Sequence, residues 1–185
     1  MIEDILGEAE QKMRAAVEHA QNELSKIRTG RANPNLISDL PVEYYGTPTP
    51  LQQLAGISVP EPRMLLVSPF DKTALKEIER AINGSDLGLN PSNDGNVIRV
   101  VFPELTEERR RDFVKLAKER AEDGRVAIRN IRRHAKTELG KLAEAGDISE
   151  DDEHRADKRL QEVTDKYVGR VDEVLSHKEK ELMEV

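Results

Sequence analysis

The chain of 185 residues contains no cysteine, so disulfides and thiolate metal sites are excluded and a reducing, cytoplasmic setting is expected. Tryptophan is also absent, and only three Tyr and three Phe occur. The core must therefore come from Leu, Ile, Val, Ala and Met rather than from stacked rings. No apolar run approaches the roughly 20 residues of a membrane span, so no membrane partner is expected. Met1-Ile2-Glu3-Asp4 opens with early acids and no basic stretch, unlike a secretory signal or an Arg-rich transit peptide. There is no Walker A motif and no glycine-rich phosphate loop. His19, His134, His154 and His177 are scattered without metal-ligand spacing. His154 and Asp157 share a helix face, where two lone ligands read as solvated side chains. Asp151-Asp152-Glu153 reads as acids at the positive end of a helix dipole. No metal, cofactor or catalytic residue is expected.

Proline is missing from both ends. All nine prolines lie between Pro34 and Pro103. Because proline breaks helix interiors, two proline-free arms around a proline-rich middle suggest long helices flanking an inserted domain. In the first arm Ile2, Ile5, Leu6, Ala9, Met13, Ala16, Val17, Ala20, Leu24 and Ile27 form one helical stripe. About 27 residues give a rod of roughly 40 Å, with Gly30 as its stop. The second arm carries two stripes, from Phe113 to Leu142 and from Ala156 to Leu182, divided at Gly146. Thr106 and Ser149 are the expected caps. The short link makes these helices antiparallel neighbours, and three narrow stripes close into a three-helix bundle. Helix one is the shortest, so one end of the bundle should hold only a helix pair. Gly124 and Gly140 weaken the second helix, each by up to ~1 kcal/mol relative to Ala.

The middle reads as short strands at 42–45, 56–59, 64–67 and 97–101, with one helix over 71–83. Asp94-Gly95 is a turn signal. Tyr44-Tyr45, adjacent on a strand, should place one ring inside and one outside. The fold expected is α+β, an elongated three-helix bundle (1–30 plus 105–185) with an inserted small β/α/β domain (31–104). Two connections, at Gly30-Arg31 and Pro103-Glu104, would act as paired hinges.

The net charge of −7 hides an asymmetry. Residues 105–141 hold 12 Lys or Arg against 7 Asp or Glu, whereas residues 142–185 hold 7 against 14. Between Arg125 and Lys136 there is no acid. Arg125, Arg129, Arg132 and Lys136 step along one face, with Arg133 beside them. The planar guanidinium suits phosphate, so this stripe reads as a docking face for a nucleic-acid backbone. The alternative is a solvated face neutralised by the acidic third helix. No aromatic interrupts the stripe, which favours folded RNA over single strands.

Taken in order along the chain, the motifs resemble the ribosome recycling factor family over essentially the whole length. Arg28-Thr29-Gly30-Arg31-Ala32-Asn33-Pro34 is similar to its signature at the exit of helix one. Val42 to Pro48 is similar to its first middle-domain strands. Ser85 to Pro91 with Asp94-Gly95 resembles the approach to the last strand, and Leu105 to Arg110 the return hinge. Arg125 to Arg133 resembles its basic helix. Ile148 to Asp152 and Lys178 to Met183 are similar to its third helix. The resemblance implies an L-shaped, tRNA-like molecule that binds the large ribosomal subunit, through its 23S rRNA, after termination. It implies elongation factor G as partner, whose GTP hydrolysis drives subunit separation. It places Arg129, Arg132 and Arg133 on RNA, with Arg28 and Arg31 beside the hinge as further contacts. Arg125 and Lys136 extend that set from the stripe. A monomer with no affinity for DNA is expected. The other readings are a helical adaptor or chaperone that binds protein through its acidic side, and an RNA-modifying enzyme, for which the sequence supplies no catalytic groups.

Overall fold

The computed structural model describes residues 1–184. In order they form α1 (Ile2–Ser25), a 3-10 turn (Pro34–Leu36), β1 (Pro41–Tyr44), β2 (Thr47–Pro50), the single turn α2 (Leu51–Leu54), β3 (Ala55–Glu61), β4 (Met64–Pro69), a 3-10 turn (Lys72–Ala74), α3 (Leu75–Asn83), β5 (Asn90–Asn93), β6 (Ile98–Val101), α4 (Glu107–Glu144) and α5 (Glu150–Met183). The architecture is α+β. The chain divides into two compact units, Met1–Leu24 with Val114–Lys180, and Ser25–Phe113 with the residues from Glu181.

The first unit is a three-helix bundle. Leu6, Ala9, Met13 and Val17 of α1 meet Ala121, Ile128, Ala135 and Leu139 of α4 and Ala156, Leu160, Tyr167 and Val171 of α5 in one core. The spacing of three and four residues puts each set on a single face. Cross-helix pairs fix the directions. Lys136 meets Asp157 and Arg125 meets Asp172, so α4 and α5 are antiparallel. Glu3 meets Arg159 and Glu10 meets Tyr167, so α1 and α5 are parallel. Arg159 lies well inside α5, so the α4–α5 hairpin runs on beyond the start of α1, as its shorter stripe implies. The caps lie where the sequence puts them. Thr106 Oγ1 accepts from Arg109 N at 3.1 Å and Ser149 Oγ from Asp152 N at 3.0 Å. Gly146 ends α4 in the left-handed region at φ 78°.

Gly124 finds its reason in packing. A Cβ there would lie 3.0 Å from Ala20 Cβ and 3.8 Å from both Cγ atoms of Val171. The missing side chain lets α1 and α4 approach closely. Gly140 has no such role, since its Cβ would meet only Glu153 Oε1 at 3.6 Å.

In the second unit β3, β4, β6 and β5 form, in that order, a fully antiparallel sheet. Leu65, Val67, Ile98 and Val100 point to the core, where Leu75, Ile78 and Ile82 of α3 cover them together with Phe102. A separate β1–β2 ribbon adds Val42 to this core. The sequence reading missed β2 and β5. Thr47-Pro48-Thr49-Pro50 and Asn90-Pro91-Ser92-Asn93 are polar and proline-bearing. Such segments survive as strands only at edges, where a missing N–H breaks no ladder. The helix expected over 71–83 opens instead as a 3-10 turn, with Asp71 Oδ1 accepting from Thr73 N at 3.0 Å. Helix α1 stops at Ser25 rather than running to Gly30. The chain leaves the helix because Ile27 and Arg28 are buried in the second unit.

Candidate nucleic-acid interface

The basic stripe lies on α4 within the first unit. Its cations are not equivalent. Arg125 donates through Nε to Asp172 Oδ1 at 2.7 Å and through Nη1 to Glu122 Oε2 at 3.0 Å. Its side chain is 18% exposed, so it lies against α5 rather than in open solvent. Arg129 Nη1 donates to the other Glu122 oxygen at 3.0 Å. Hydrogen bonds from Arg129 and then Arg125 hold the Glu122 carboxyl below its usual range. Lys136 Nζ stands 3.7 Å from Asp157 Oδ1.

Arg132 and Arg133 differ. Arg132 is half-buried and Arg133 exposed. Among the described residues neither has an ion pair. Neutralisation by acids therefore covers only part of the stripe. Acids neutralise its two ends, and its centre keeps two uncompensated guanidinium groups. Sequence spacing alone could not show this. Asp157 and Asp172 come from another helix, and Glu122 stands just outside the acid-free window.

The residues near the two connections lie in the second unit. Arg28 is 6% exposed, although it belongs to a basic signature. Its Nη1 donates to Leu87 O at 3.2 Å and its Nη2 to Pro103 O. Its guanidinium carbon lies 5.7 Å from the Phe102 ring centroid. Burial, and then the like charge of Arg109, lower its pKa. A phosphate could reach this group only by displacing these carbonyls. Arg31 is exposed, with Nε 3.6 Å from Glu184 Oε2, and Glu104 pairs with Arg63 at 2.6 Å. Gly30 and Pro103 are half-buried. Among the described residues no group of three or more His, Asp or Glu side chains could hold a metal ion. None of the helices among them is long and apolar enough to cross a membrane. Tyr44, the last residue of β1, is half-buried, and Tyr45, in the turn that follows rather than on the strand, is exposed.

The chain matches the family model described as ribosome recycling factor over residues 20–183. It is 58% identical to the ribosome-recycling factor of Streptomyces coelicolor and 57% identical to that of Thermobifida fusca, over the full length of both chains in each case. Its fold is similar to the solution structure of a ribosome recycling factor, with a TM-score of 0.79 and 46% identity. That match covers all of this chain and 98% of the other. A second likeness is to a chain in models of the T. thermophilus ribosome recycling factor and E. coli elongation factor G bound to the E. coli post-termination complex. There the TM-score is 0.70 and the identity 45%, with both chains fully covered.

Proposed function

The chain belongs to the ribosome recycling factor family, and we propose that it binds the large ribosomal subunit after termination and, with elongation factor G and GTP, dissociates the post-termination complex. The observation that carries this is full-length likeness to recycling factors, one of them described with elongation factor G on that complex. The protein acts in the cytoplasm by binding and leverage, and GTP hydrolysis belongs to the partner.

The anchor on ribosomal RNA is the centre of α4. Arg132 and Arg133 support this reading because a phosphate can take them without breaking an internal ion pair. Arg129 joins by exchanging Glu122 for a phosphate, and Arg125 and Lys136 contribute field more than direct bonding. In functional terms, residues 1–30 with 105–185 hold RNA and residues 31–104 move. Gly30-Arg31 and Pro103-Glu104 serve as the hinges. The Arg31–Glu184 and Arg63–Glu104 pairs beside them are exposed and therefore easily exchanged with water.

Light scattering of post-termination ribosomes tests the reading. Added protein, elongation factor G and GTP should together lower the signal as subunits separate, and omission of any one should leave it unchanged. No separation with all three present would refute the proposal.

A further inference from the structure

The helices of the bundle do not close evenly. Between α1 and α4 a groove of about 250 Å³ opens on the surface of the first unit. Its floor is apolar, with Ala9 and Ala135 buried and Ile131 half-buried. Two alanines, where larger side chains would fill the gap between the helices, leave the space open.

The rim is polar and mixed in sign. Lys12, Asn130 and His134 stand exposed around the floor, with Glu8 and Glu138 beside them. The titratable members contact one another within each helix. Lys12 Nζ lies 3.0 Å from Glu8 Oε1, and His134 Nε2 lies 3.3 Å from Glu138 Oε1. Surface contacts of this kind contribute little and exchange readily with another partner. Asn130 differs from these four. Its amide makes no hydrogen bond among the described residues. It stands well inside α4, where asparagine is a poor helix former. A side chain that weakens its helix and gains no bond there points to a partner outside the chain.

The chemistry of the rim decides what kind of partner fits. A phosphate would meet Glu8 and Glu138 as like charges. A nucleobase carries donors and acceptors along its edge and an apolar face that stacks. The groove offers the complement, an amide and two carboxylates for the edge and three apolar side chains for the face. Its volume falls below the roughly 300–1,000 Å³ of pockets that bury drug-sized molecules, which suits one base.

The groove is also continuous with the RNA anchor. Asn130 lies three residues before Arg133, and residues so spaced are neighbours on a helix, roughly 5–6 Å apart at Cβ. His134 follows Arg133 directly. A nucleotide whose phosphate rests on the unpaired Arg133 guanidinium would bring its base to this groove. We propose that the groove between α1 and α4 receives one unpaired base of the large-subunit ribosomal RNA, bonded at its edge by Asn130. The inference rests on the RNA anchor proposed above.

Large subunits of Streptomyces coelicolor, source of a 58% identical relative, provide the test. Base-specific chemical modification and hydroxyl-radical cleavage of the RNA are compared for wild type, Asn130→Ala and Arg133→Ala, with affinities from sedimentation at several salt concentrations. Wild type should protect one unpaired base. Asn130→Ala should lose that protection, keep the backbone protection and bind about 2- to 12-fold more weakly, as for one net hydrogen bond. Its slope of log affinity against log salt should stay that of wild type, because an amide neutralises no phosphate, whereas Arg133→Ala should reduce the slope by about one. Alanine favours the helix, so Asn130→Ala should melt no lower than wild type, which separates binding from folding. Unchanged affinity and protection in Asn130→Ala would overturn the proposal. Weaker binding with no base protected by wild type would also overturn it, by making the occupant a protein side chain. A reduced salt slope in Asn130→Ala would overturn it by making the groove a phosphate contact. Equal binding by Arg133→Ala and wild type would remove the anchor, and a wild type that does not bind would overturn the recycling function and this inference with it.

Discussion

Replacing Gly124 by alanine sets two effects of known sign against each other. Helix propensity alone favours alanine by about 0.8–1.0 kcal/mol. The new Cβ, however, would lie 3.0 Å from Ala20 Cβ, where carbon atoms prefer about 3.5–4.0 Å. Helix α1 would have to retreat by a good fraction of an ångström, and overpacking of this kind costs about 1–3 kcal/mol. The cost should exceed the gain, leaving Gly124→Ala less stable by about 1 kcal/mol, which is roughly 2–4 °C in a chain of this size. Gly140→Ala is the internal control. It gains the same propensity and meets only Glu153 Oε1 at 3.6 Å, so it should stabilise the protein. Adding Ala20→Gly to Gly124→Ala should cost less than Ala20→Gly alone, because the partner methyl has gone. Urea unfolding followed by helix circular dichroism measures all four variants. Stabilisation by Gly124→Ala equal to that by Gly140→Ala, with an additive double variant, would refute the close-approach argument.

Three further outcomes are expected. Glu122→Gln should free Arg125 and Arg129 from a shared carboxylate and strengthen large-subunit binding at low salt, as read by sedimentation. Arg28→Ala should destabilise the second unit by about 1–3 kcal/mol, because the Leu87 and Pro103 carbonyls lose their donor. Hydrogen exchange should then quicken between residues 84 and 106. Backbone N–H groups of Val97 and Asn96 and then the Arg99 side chain lower the Asp94 pKa to about 2. Its contribution to stability is therefore complete above the ordinary carboxyl value of 3.8 and lost as pH falls toward 2. Asp94→Asn should flatten that acid limb of an unfolding-against-pH curve.

What could be read from the sequence was local. The caps at Thr106 and Ser149 and the stop at Gly146 depend on residues within one turn, and they stand where expected. The three stripes needed only periodicity. Strands β2 and β5 were hidden because edge pairing rests on a neighbour, not on an apolar pattern. The stripe on α4 was visible as spacing, but its division into paired and unpaired arginines depends on Asp157 and Asp172 of α5. Arg28 shows the same limit from the other side. A basic residue in a signature reads as a surface contact, yet tertiary packing has drawn it inside to bind carbonyls. The left-handed conformation of Tyr45, at φ 50°, was equally invisible, since a two-residue turn fixes φ only once its strands are paired.

The most direct test of the account is co-sedimentation with isolated large subunits at two salt concentrations, for wild type, Arg125→Ala and Arg132→Ala/Arg133→Ala. The account predicts salt-sensitive binding by wild type and little change in Arg125→Ala. In the double variant, the slope of log affinity against log salt should shrink by about 2, roughly one unit for each phosphate no longer neutralised. Equal binding by the double variant and wild type, in proteins whose helix content is unchanged, would contradict the claim that the unpaired arginines of α4 anchor this factor.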